Sequence, residues 1–111
     1  VKIEGKWGYI GKTGKIVIGP RYSDSFRFSE GLAAVQIGSK WGFIDKSGKV
    51  VIEPLYSSDS YFSEGLALVK SGNFYGYIDR AGNTVIPPRF SNASNFSDGL
   101  AAVAMEVKVE K

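Results

Sequence analysis

Lys40-Trp41-Gly42-Phe43-Ile44-Asp45-Lys46-Ser47-Gly48-Lys49-Val50-Val51-Ile52-Glu53-Pro54 reads as two short strands around a tight turn. Trp41-Gly42-Phe43-Ile44 is aromatic and β-branched, which suits a pleated surface. Asp45-Lys46-Ser47-Gly48 has the residues of a type I turn with glycine in the left-handed position, a common hairpin connection. Lys49-Val50-Val51-Ile52 is the returning strand, and Pro54, which cannot donate to a ladder, is expected to stop it. Downstream, Leu55 to Glu64 reads as a long connection ending in Phe62-Ser63-Glu64-Gly65. A third strand, Leu66 to Lys70, turns through Ser71-Gly72-Asn73 into the next aromatic-glycine pair, Tyr75-Gly76. The third, first and second strands make an antiparallel meander.

The same phrase occurs three times at a spacing of 34 residues, over 5–38, 39–72 and 73–106 of a single repeat domain, 1–111. Trp7, Trp41 and Tyr75 open it, Gly14, Gly48 and Gly82 turn it, and Pro20, Pro54 and Pro88 follow. Phe28, Phe62 and Phe96 precede the closing segments Gly31-Leu32-Ala33-Ala34-Val35, Gly65-Leu66-Ala67-Leu68-Val69 and Gly99-Leu100-Ala101-Ala102-Val103. A period of this length also suits helical arrays. Here, though, 14 glycines and a proline in every copy break helices, and no stretch has helical apolar periodicity. The expected fold is all-β: three three-stranded antiparallel meanders in an open or wrapped array, with a closed barrel-like or propeller-like ring as the alternative. The strands are apolar on both faces and so need cover on both. The ends are out of phase with the meander: the last strand, expected over Gly99 to Val109, has no hairpin after it. Closing it onto Trp7 to Ile10 is the favoured resolution.

The lines Gly5 to Pro20, Lys40 to Pro54 and Tyr75 to Pro88, each with its Phe-Ser-acid-Gly-Leu-Ala segment, resemble the WG repeat, or KWG repeat, of bacterial proteins. Gly11 stands where that pattern has Asp, and Phe74-Tyr75 stands where it has Lys-Trp. The resemblance implies an all-β repeat scaffold, often part of a larger protein and often on the exported or cell-envelope side. It implies no catalytic residues.

The chain has 111 residues, no cysteine and no histidine, and a net charge of +3. Thiolate and imidazole metal sites and a histidine base are therefore excluded. The first copy carries five basic residues against two acidic ones, the second is balanced, and the third has two basic against three acidic. A nucleic-acid-binding array would show its cations in every unit, so no nucleic-acid partner is expected. No apolar run approaches the length that spans a bilayer, and no membrane insertion is expected. Val1 in place of Met is what a domain trimmed from a longer protein would show.

Gly11-Lys12-Thr13 has the end of a phosphate-binding loop, but Lys6 occupies the position of its first glycine, and the tripeptide falls on a hairpin turn. Glu30, Glu64 and Asp98 recur at one spacing before glycine, where a carboxylate accepts backbone N–H bonds. A catalytic pair is needed once, whereas a structural group is needed in every copy. Trp7, Trp41 and Tyr75 either fill the interfaces between units or stack on sugars or bases. The copies differ most in the long connection: Asp24-Ser25-Phe26-Arg27, Ser58-Asp59-Ser60-Tyr61 and Asn92-Ala93-Ser94-Asn95. Constant scaffold with one free loop is how repeat proteins carry specificity, although a merely solvated loop would vary as much. The expected function is a non-enzymatic scaffold, without cofactors or metals, that binds a protein or peptide through Phe26, Arg27, Tyr61 and Asn95. A carbohydrate-binding module using exposed aromatics is the alternative.

Overall fold

The structure, a computed structural model, describes residues 1–105. They form four antiparallel sheets stacked in a row 62 Å long and 29 × 18 Å across, with no helix among the described residues. Lys2–Ile3 (β1), Lys6–Ile10 (β2) and Ile16–Tyr22 (β3) make the first sheet. Asp24–Ser25 (β4), Ala33–Ile37 (β5), Lys40–Ile44 (β6) and Val50–Tyr56 (β7) make the second, and Phe62–Ser63 (β8), Leu66–Ser71 (β9), Phe74–Asp79 (β10) and Thr84–Phe90 (β11) the third. Asn92–Ala93 (β12) pairs with Val103–Ala104 (β13) at the far end. The strands neighbour one another in chain order, so all connections are local and each sheet is a meander.

Each hairpin forms as its turn residues dictate. Gly48, at φ +88°, donates its N–H to the Asp45 carbonyl at 3.0 Å, and Asp45 donates to the Lys49 carbonyl at 2.9 Å. The Asp45 carboxylate accepts the Ser47 hydroxyl at 2.6 Å and the Ser47 and Lys49 amides at 2.9 and 3.1 Å. These bonds, the Ser47 hydroxyl first, hold its carboxyl below the ordinary aspartate range. Gly11 has no carboxylate to offer, yet the first turn keeps both backbone bonds, at 2.9 and 3.0 Å.

Two expectations about the strands need correction. Pro54 does not end the returning strand, which runs on to Tyr56. Trp41 pairs with Tyr56 and Phe43 with Ile52, so two residues on β6 span four on β7, and Pro54 sits in the bulge between. β7 is the outer strand of its sheet, where a missing N–H costs nothing. The long connection is also not structureless. Its residues fold back on the closing strand as β4, β8 and β12, giving four strands per complete unit instead of three.

The bulge accounts for the glycine that follows each Trp or Tyr. A Cβ on Gly42 would lie 2.5 Å from the Ile52 carbonyl oxygen and 2.8 Å from the Pro54 nitrogen. Gly8 and Gly76 meet the same backbone at 2.6 and 2.5 Å. Only a residue without a side chain lets the bulged strand close over β2, β6 and β10.

The core lies between sheets. Ile18 and Tyr22 pack on Ala33, Val35 and Ile44, with Trp7, Tyr9 and Phe28 against them. At the next joint Leu32, Ala34, Trp41, Phe43 and Ile52 pack on Phe62, Ala67, Val69 and Ile78. The closing strand is thus covered on both faces, as expected. The returning strands are not: Val17, Val51 and Val85 all point to solvent.

The array is open. β13 pairs with β12 and not with Trp7 to Ile10, so the ends do not close into a ring. Instead Val1 to Ile3 stands where a preceding closing strand would end, with Lys2 opposite Trp7 and Ile3 opposite Lys6. The strand expected over Gly99 to Val109 is confined, within the described residues, to Val103–Ala104; Glu106, Val107, Lys108, Val109 and Glu110 lie outside them.

Two glycine replacements separate close approach from backbone sign. Gly42→Ala should lower the unfolding free energy by about 3 kcal/mol, because rigid backbone blocks the new methyl. Gly65→Ala, at φ +78° in open space, should cost only about 1–2 kcal/mol. Urea denaturation of both variants measures the order, and the reverse order would contradict the bulge.

Candidate functional site

The Phe-Ser-acid-Gly turns lie along the seam between units. Ser29 and Leu32 exchange backbone bonds at 2.9 and 3.1 Å, and Glu30 and Gly31 between them have φ +54° and +81°. This two-residue turn with both central residues left-handed matches the twist of a hairpin. Glu64 and Asp98 repeat it at φ +55° and +52°. Each turn is bonded to the next. The Ser29 hydroxyl donates to the Phe62 carbonyl at 2.8 Å, and the Glu30 carboxylate accepts the Gly65 N–H at 3.0 Å. Ser63 donates to the Phe96 carbonyl at 2.8 Å, and Glu64 accepts the Gly99 N–H at 2.8 Å. The Glu30 and Glu64 carboxylates do accept backbone N–H groups, but from the following unit. The sequence signal was the Ser-acid-Gly run at constant spacing.

Under each turn, an aromatic pair repeats its geometry. Tyr9 meets Phe28, Phe43 meets Phe62, and Tyr77 meets Phe96, all edge to face at 4.9 Å between centroids. Tyr9 and Tyr77 donate their hydroxyls to the Phe26 and Ser94 carbonyls at 2.7 and 2.6 Å, which ties the variable connection to the scaffold. Burial pushes the Tyr9 and Tyr22 phenols above their ordinary value. The Tyr22 hydroxyl has no hydrogen-bond partner among the described residues.

The structure brings three of the four expected site residues together. Phe26 and Tyr61 stack with centroids 5.9 Å apart and planes 21° from parallel, although 34 residues and a joint separate their loops. The Arg27 guanidinium lies over both rings, 5.4 Å from Phe26 and 5.2 Å from Tyr61. Arg27 is exposed and both rings are half-buried. Asn95, in the register position of Arg27 and Tyr61, does not join them. Its side-chain oxygen accepts the Leu68 N–H at 3.3 Å, an inter-unit tie like those at the turns.

The other motifs resolve into structure. Gly11-Lys12-Thr13 is a hairpin tip between β2 and β3. Trp41 is buried at 8% exposure, and Trp7 and Tyr75 are half-buried with Lys2 and Lys70 over their rings at 5.9 and 5.5 Å. Among the described residues no group of acidic side chains has a metal-holding arrangement, and no helix is long and apolar enough to cross a membrane.

A family model described as WG containing repeat matches residues 7–41, 41–73 and 75–106. The chain belongs to the WG repeat family. No curated protein and no solved structure matches it. In this WG repeat array the tryptophan fills the joint, the glycine admits the bulge, and the acidic turn hands one bond to the next unit.

Replacing the three acidic turn residues tests that hand-over, because they share one backbone conformation. In dilute solution Glu30→Ala and Glu64→Ala should each destabilise by about 1 kcal/mol more than Asp98→Ala, since Asp98 has no following turn to bond among the described residues. Equal effects at all three positions would mean that the carboxylates act only within their own turns.

Proposed function

We propose that this WG repeat chain is a non-enzymatic scaffold that binds a protein or peptide at the Phe26–Arg27–Tyr61 cluster. What supports this is the convergence of variable-loop residues from two units into one group of two half-buried rings and an exposed guanidinium. Aromatic and arginine side chains are the residue types that anchor protein interfaces. The Arg27 guanidinium, exposed beside the two rings, has N–H groups of the geometry that meets a carboxylate in bidentate fashion. The first unit carries the excess of basic charge, which favours an acidic segment in the partner. The recurrent carboxylates Glu30 and Glu64 are engaged in structural bonds, which argues against acid–base chemistry there. The carbohydrate reading has less support, since Trp41 is sealed in a joint and lysines lie over Trp7 and Tyr75.

Selection from a displayed peptide library on the immobilised chain tests the proposal. An acidic peptide family should emerge whose affinity falls about tenfold or more with Arg27→Ala or Tyr61→Ala. Binding that survives both substitutions, or a saturable tryptophan fluorescence change with polysaccharides and no peptide enrichment, would overturn it.

A further inference from the structure

The returning strands β3, β7 and β11 border their sheets on one side, and β4 and β8 border the two complete sheets on the other. On the returning strands Val17, Val51 and Val85 are 62%, 40% and 50% exposed, and Ile16 and Val50 beside them are exposed as well. Leu55, at the register position of Arg21 and Arg89, is also exposed. The second sheet packs against a neighbour on each side. The exposure of Val50, Val51 and Leu55 is therefore a property of the repeating unit and owes nothing to either end of the array. One border of the ribbon thus carries aliphatic side chains at the repeat spacing.

The same hairpins hold the positive charge. Lys12, Lys46 and Arg80 stand exposed at the three hairpin tips. Residues 11–22, 45–56 and 79–90, which are the tips and returning strands, carry seven basic side chains against three acidic ones. The rest of the chain carries seven against eight. Two of those three acids, Asp45 and Asp79, bind the amides of their own turns. Cation and aliphatic lie close together: a Cβ on Gly11 would touch Val17 at 3.4 Å, which puts this valine at the foot of the Lys12 tip. Arg21 reaches the next tip, with its guanidinium 3.9 Å from where a Cβ on Gly48 would stand.

We propose that the array lies along an anionic membrane surface on the border made by β3, β7 and β11. Its lysines and arginines meet the lipid phosphates, and the valines, with Ile16 and Leu55, enter the headgroup layer beside them. Binding at such a surface adds apolar burial to electrostatic attraction, which is the pairing this border offers. Other occupants fit it less well. A nucleic acid would leave the aliphatics unused, and the aromatics on these strands are no stacking platform, since Tyr22 and Phe90 are buried and Tyr56 half-buried. Protein interfaces are anchored by Trp, Tyr and Arg more than by Val and Leu. A second copy would bring the same positive border, and an added strand would meet Pro20, Pro54 or Pro88. Arg27 and Tyr61 adjoin β4 and β8 at the opposite border, so the peptide site stays turned to solvent.

Co-sedimentation of the 111-residue chain with large unilamellar vesicles tests this. Vesicles of phosphatidylcholine with about 30% phosphatidylglycerol should bind it at low salt, and pure phosphatidylcholine vesicles far less. Each cation near such a surface is worth about fivefold, so Lys12→Gln combined with Lys46→Gln should weaken binding about tenfold or more. Val17→Ser combined with Val51→Ser should weaken vesicle binding about threefold or more, while leaving any binding to polyglutamate unchanged. All four side chains are exposed, so both variants should unfold at the wild-type urea concentration. Arg27→Ala, at the opposite border, should bind vesicles like wild type. A wild-type chain that ignores the anionic vesicles would overturn the proposal, as would a loss confined to Arg27→Ala. Vesicle binding that survives the serine substitutions in full would mark a site for any polyanion and overturn it too.

Discussion

Everything in this molecule depends on the closing strand being shared. Leu32 to Val35 belongs in sequence to the first unit, yet its hydrogen bonds complete the hairpin of the second. Its side chains divide between two cores: Ala33 and Val35 face back towards Ile18 and Tyr22, and Leu32 and Ala34 face forward towards Phe43 and Phe62. No unit therefore owns a complete sheet or a complete core. Stability in such an array is carried by the joints between neighbours more than by the units themselves. The small size of Ala33, Ala34 and Ala67 follows from the same arrangement, because a strand sandwiched between two sheets has little room on either face.

The remaining repeated residues serve that joint. The bulge around Pro54 bends the returning strand, and Gly42 lets it close over β6. Ile52 then reaches the next hairpin turn, where a Cβ on Gly82 would stand 3.3 Å away from it; Ile18 meets Gly48 in the same way at 3.4 Å. The acidic turns add one carboxylate and one hydroxyl bond per step. Tyr9 pins the first variable connection from beneath, so Phe26 and Arg27 are displayed from a fixed base and meet Tyr61 across a joint.

The strands and turns were legible in the sequence because they are local. Alternating apolar runs, Asp45-Lys46-Ser47-Gly48 and the period itself specify hairpins and an array without reference to anything distant. What was not legible depends on neighbours. Pro54 reads as a strand end, but its place in a bulge on an outer strand is set by the pairing of Trp41 with Tyr56. The short strands β4, β8 and β12 carry no β-rich run and exist only because a closing strand lies beside them. Closure onto Trp7 to Ile10 fails because the sheets stack in a row, which keeps the two ends apart. Of the site residues, Phe26, Arg27 and Tyr61 stood out as variable aromatics and a cation, but their contact is tertiary. Asn95 shares their register and differs in role, since its short amide reaches backbone instead.

Native-state hydrogen exchange in dilute solution tests the shared-strand account most directly. If the joint holds the array together, the amides of Ala33–Ile37 and Leu66–Ser71 exchange slowest and with a common opening free energy close to that of global unfolding. Leu100 to Ala104, the same sequence element without a following hairpin, should exchange much faster. Protection of Leu100 to Ala104 equal to that of the two internal closing strands, in a chain shown to be monomeric, would contradict the account.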